Sequence, residues 1–155
     1  MPKPDARRTP IGHFNFAETY LASARALADN KPEATHPDEP VNLLYYQAIE
    51  LYLKAFLRLH GHSAKALASR KFGHDFGKLA DGAAGSGLRL KETDKLALRF
   101  LTDTGAIADA RYIKTGFFRR LSHDRLDQLC RSLRHRVGNA LKAKGEPVRW
   151  VLPLP

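Results

Sequence analysis

Most of the signatures that identify a small functional domain are missing from this chain. It has a single cysteine, Cys130, which excludes an internal disulfide and any paired-cysteine metal or redox motif. It has no glycine-rich phosphate loop and no Gly-x-Ser-x-Gly elbow. His60 and His62 flank Gly61 without a matching cluster of histidine, cysteine or carboxylate, so neither a metal nor another cofactor is expected. The opening MPKPDARRTPIGHF contains no apolar stretch of signal-peptide length, and a reducing cytoplasmic setting is the expectation. No segment alternates as a strand does, and no repeat is visible. Acidic residues are scarce: 16 Asp and Glu stand against 26 Lys and Arg, a formal net charge of +10.

The main feature present is the run VNLLYYQAIELYLKAFLRLH, Val41 to His60. It is apolar almost all the way round a helix, and its polar residues Gln47, Glu50, Lys54 and Arg58 recur every three or four positions, on one narrow stripe. Four strongly polar side chains make it too costly as a membrane span, so a central helix enclosed by others is expected. Asp38 suits its N-cap, Pro40 its first turn and Gly61 its end. A first helix fits Asn15 to Asp29, with Phe16, Tyr20, Leu21, Ala24 and Leu27 inward. A short turn fits Ser63 to Ser69, and Asp75 caps a helix of two or three turns. Glu92 to Thr104 forms another helix, carrying Leu96, Leu98, Phe100 and Leu101. Ser122 caps a last long helix to about Ala143, whose apolar face is Leu126, Leu129, Leu133, Val137 and Leu141. Cys130 falls at the edge of that face, as an inert core residue. The expected architecture is all-α, an up-and-down bundle of four to five helices. Residues 1–13 read as a flexible basic arm, 14–145 as one helical domain, and 146–155 as an extended apolar tail against the body or a partner.

The positive charge is uneven. From Arg111 to Pro155 eleven Lys and Arg face three acids, a net of +8, whereas the first 110 residues carry fifteen against thirteen, a net of +2. Such a local excess favours polyanions through counterion release, whatever their sequence.

Three motifs follow one another in a set order: AIELYLKAFL with Glu50 and Lys54, GHDFGKL with His74-Asp75 at a helix start, and Ala110-Arg111-Tyr112 before the last helix. In this order and spacing, over roughly residues 15 to 143, the chain resembles the HEPN superfamily of prokaryotic defence, toxin–antitoxin and nucleotidyltransferase-linked systems. The resemblance implies a helical bundle that usually forms a homodimer, with a cognate nucleotidyltransferase or antitoxin as a partner and no membrane association. It implies a polar seam of Glu50, Lys54, His74, Asp75, Arg111 and Tyr112 in or beside the bundle, with Asn139 of the last helix a further binding or seam residue. In the family's active branch it implies metal-independent ribonuclease activity, from an arginine separated by four to six intervening residues from a histidine on the last helix. That pairing suits cleavage by a neighbouring 2′-hydroxyl, with histidine moving protons and arginine stabilising the crowded phosphorane.

The last helix departs from that pattern. After Arg134-His135 an amide, Asn139, stands where the histidine belongs, and an amide does not shuttle protons near neutral pH. Arg131/His135 and Arg119/His123 are each separated by three residues, one short of the motif; Arg8 and His13 have the spacing but lie in the arm. The first expectation is therefore a HEPN-like module that binds RNA, a nucleotide or an acidic partner protein. The alternative is a metal-independent endoribonuclease toxin carried by Arg131, Arg134 and His135.

Overall fold

A computed structural model describes residues 4–105 and 119–150. Among these residues every regular element is helical. A 3-10 turn, Pro4–Arg7, precedes α1 (Pro10–Asp29), α2 (Asp38–Leu59), α3 (Ala64–Ala68), α4 (Phe76–Gly85), α5 (Glu92–Asp103) and α6 (His123–Ala143). The chain is an all-α bundle of six helices among the described residues, α3 being the short turn read between Ser63 and Ser69. None of these helices is long and apolar enough to cross a membrane.

Local chemistry explains the boundaries. Thr9 Oγ1 accepts a hydrogen bond from the Gly12 amide at 3.0 Å, and Pro10 supplies the preset φ of a first helical turn. A Cβ on Gly12 would stand 2.9 Å from Thr9 Oγ1, so the glycine leaves room for the cap. α1 thus begins at Pro10, and residues 10–13 belong to it and not to a basic arm. Asp75 and Ser122 cap α4 and α6 through the amides of Lys78 and Arg125. Asp38 is no cap: Pro37 occupies that position without a side-chain bond, while Asp38 and Glu39 lie in the first turn of α2, where acids complement the helix dipole. Gly61, at φ 91°, follows the end of α2 in a conformation that side chains rarely adopt.

α2 is the hub, packed on α1, α6 and α4, while α5 bridges α4 and α6. Its Ile49, Leu53 and Leu57 are fully enclosed, as are Leu126, Leu133, Val137 and Leu141 of α6; each such leucine stabilises the fold by about 2 kcal/mol. α1 is rotated from the expected face. Phe14, Ala17, Leu21 and Ala24 point inward, and Phe16 is 67% exposed. On α5 the buried apolar set is Ala97, Leu98 and Leu101, whereas Leu96 is exposed.

Candidate functional site

The face of α6 opposite the core lines a groove of about 630 Å³ against the start of α5. Its walls are Lys91, Thr93 and Asp94 on the α5 side, and Arg125, Gln128, Arg131, Ser132, His135 and Arg136 on α6. The α6 residues recur at three- and four-residue steps, so they form one stripe. The charge is one-sided. Asp94 is the single acid among the described lining residues, and it is buried and accepts a 2.5 Å hydrogen bond from the Ser132 hydroxyl. Arg125 is held by Gln128 Oε1 at 2.9 Å and by the Thr93 carbonyl at 3.4 Å. Arg131 Nε lies 3.0 Å from Asp127 Oδ2 without the alignment of a hydrogen bond. Asp127 is shared with Arg25 (2.8 Å) and with the Tyr45 hydroxyl (3.2 Å), which burial and the carboxylate hold in its neutral form.

The three residues offered as a catalytic cluster are divided. Arg131 and His135 line the groove, one helical turn apart. Arg134 faces the opposite way and is fully buried. Its Nε donates to both Glu18 oxygens, at 2.8 and 3.0 Å, and Glu18 also accepts from the Tyr52 hydroxyl at 2.5 Å. The Trp150 ring covers the guanidinium at 4.8 Å and meets Phe14 edge-on. That ring sits against Gly138, where a Cβ would come within 2.2 Å of it. The first half of the C-terminal tail therefore docks on the body, with Trp150 closing the Arg134–Glu18 pair. Asn139 is exposed, and its Nδ2 lies 3.2 Å from His135 Nε2.

The polar residues of α2 meet those before α4. Glu50 is 3% exposed, and one of its oxygens lies 2.7 Å from Lys54 Nζ and 2.8 Å from His74 Nδ1. The Lys54 side chain is largely enclosed, whereas the His74 side chain is 53% exposed. Asp75 acts at the same place as the α4 cap. Arg111 and Tyr112 lie outside the described residues.

His13, half-buried in the first turn of α1, contacts the Thr9 carbonyl through Nδ1 at 3.0 Å. Burial first, and the charges of Lys54, Arg58 and Arg8 next, lower its pKa from the usual 6.5, against a partly offsetting rise from the Thr9 bond. As pH falls below 6.5 the unfolded chain takes up a proton that the folded histidine resists, so stability falls, and it levels off below the lowered folded value. We expect the urea midpoint to drop between about pH 7.5 and about pH 5.5, and the drop to shrink in His13→Gln. Equal drops in the two proteins would refute that assignment.

Glu18, Tyr52, Trp150, Arg25 and Asp127 were not singled out from the sequence as site residues. Cys130 is wholly buried, and desolvation holds its thiol well above the usual range, so it carries no nucleophile. Among the described residues no group of three His, Cys, Asp or Glu side chains is placed to hold a metal ion. No protein-family model, curated protein or solved structure matches the chain.

Proposed function

We propose that this chain is a HEPN-like up-and-down bundle that binds RNA through the α5/α6 groove, as a homodimer working with a cognate nucleotidyltransferase or antitoxin in a defence or toxin–antitoxin system. The observation that carries the binding reading is the groove lining. It holds Lys91, Arg125, Arg131 and Arg136, and the only carboxylate among its described residues is buried and bonded to Ser132. Four cations of this kind, if each meets a phosphate, give a log–log salt slope of about −3 to −4. The ordered signature of Glu50–Lys54, His74-Asp75 and Arg111-Tyr112 supports the family and the partners.

Fluorescence anisotropy with a labelled RNA tests this reading. Affinity should fall steeply with salt, and reversal of Arg125, Arg131 and Arg136 together to glutamate should weaken it about 100-fold or more. Binding indifferent to salt and to the triple reversal would sink the proposal. An endoribonuclease reading keeps one supporting observation, the shared position of Arg131 and His135 in the groove. RNA cleavage that survives EDTA, leaves cyclic phosphate ends and is lost in His135→Ala would establish it; RNA recovered intact after prolonged incubation would leave binding alone.

A further inference from the structure

The same groove narrows the kind of RNA, an inference that rests on the binding reading above. We infer that it takes duplex RNA, recognised by its phosphate backbone and 2′-hydroxyls and not by base sequence. Two properties of the lining lead there. The first is what it contains besides charge. Apart from the His135 imidazole there is no aromatic ring among the described groove residues, so these residues offer none of the stacking platforms from which single-strand binders draw much of their affinity. A flexible single strand would have to be ordered on this surface with no stacking to offset the lost entropy.

The second property is geometry. Arg125, Arg131 and Arg136 stand on a single rigid helix, over eleven residue steps or about 16 Å of axis, with Lys91 across the groove. A fixed row of cations matches a fixed lattice of phosphates, which a duplex presents without further ordering. Interspersed with the row are neutral polar groups. Gln128 and Thr93 are exposed, and the Gln128 oxygen already accepts from Arg125, which leaves its amide N–H groups to donate. Groups of that kind, spaced between cations, suit the wide and shallow minor groove of an A-form helix, where 2′-hydroxyls lie at the surface. The Arg125 fork, which could otherwise read a base edge in bidentate fashion, is occupied by Gln128 and the Thr93 carbonyl.

The test uses the full chain and four probes of equal length, about 20 nucleotides per strand: two RNA duplexes of unrelated sequence, one component RNA strand, and a DNA duplex. At one salt concentration we expect the RNA duplexes to agree within about 3-fold, to bind about 10-fold more tightly than the single strand, and to bind several-fold more tightly than the DNA duplex. Thr93→Ala combined with Gln128→Ala, two exposed substitutions, should close most of the gap between RNA and DNA duplexes and leave the melting temperature unchanged. A single strand that binds as tightly as the duplex overturns the inference, as does a DNA duplex that binds as tightly as RNA, or a large difference between the two RNA sequences. Each of those results leaves the groove as an RNA or nucleic-acid site. Binding of none of the four probes instead removes the underlying function.

Discussion

Replacing Arg134 by alanine is expected to destabilise the protein by about 3–5 kcal/mol. The guanidinium is fully buried, and it is a direct partner of a carboxylate, Glu18, that is itself 5% exposed. Once Arg134 is gone, Glu18 keeps a hydrogen bond from Tyr52 but no positive charge, in a site where burial already holds the Tyr52 hydroxyl in its neutral form. The Trp150 ring loses the flat cation it rests on. For a chain of this length such a loss lowers the melting temperature by roughly 6–20 °C, a large fraction of ordinary stability. Calorimetry or a urea titration measures it, and Trp150, the only tryptophan, reports the loosening of the tail by fluorescence. The double variant Glu18→Leu, Arg134→Met should recover most of the loss, because removing both charges leaves neither stranded. His135→Ala, one residue on but exposed, should stay within about 0.5 kcal/mol of the parent. An Arg134→Ala protein that melts within 2 °C of the parent, by an order-of-magnitude criterion of roughly 1 kcal/mol, would show that the pair is dispensable to the fold.

The different fates of Arg134 and His135 mark where sequence reading reached its limit. The apolar face of α6 was legible because Leu126, Leu129, Leu133, Val137 and Leu141 keep the helical period, and all five are buried. Arg134 stands one step from Leu133 and three from Val137, inside that face, as Glu18 stands with Phe14, Ala17 and Leu21 on α1. Two opposite charges, each placed on the buried side of an amphipathic helix, were a signal for a buried pair. Motif matching by residue type pointed Arg134 at a substrate instead. The start of α1 was legible too, in the capping threonine followed by a proline at Thr9-Pro10, but the basic composition of the first residues suggested an arm. The groove was less so. Its charge excess showed in the composition of the C-terminal third, yet Lys91 and Asp94 come from the start of α5, thirty or more residues earlier. Only the packing of α5 on α6 brings them to the same wall.

Glu50→Gln is expected to cost about 3 kcal/mol, the second large effect. The change keeps shape and hydrogen-bonding capacity, so what it removes is charge. Lys54 lies on the same helix with its ammonium 2.7 Å from the carboxylate and its side chain 12% exposed, too enclosed for water to replace the lost partner. His74 contributes less, since its imidazole remains half in solvent. Lys54→Met alone should also destabilise, by leaving Glu50 unpaired except for that imidazole. The combination Glu50→Gln, Lys54→Met should be closer to the parent than either single change, and the coupling from the full cycle should be at least 1 kcal/mol. Additive losses would mean that the two groups act apart and that the contact contributes nothing of its own. The double variant also separates stability from binding. If Glu50 and Lys54 serve only to tie α2 to the start of α4, RNA affinity in the α5/α6 groove should be unchanged once the fold is restored. A loss of RNA binding in a stably folded double variant would make the polar seam part of the site, and would place a second RNA contact on the α2/α4 side of the bundle.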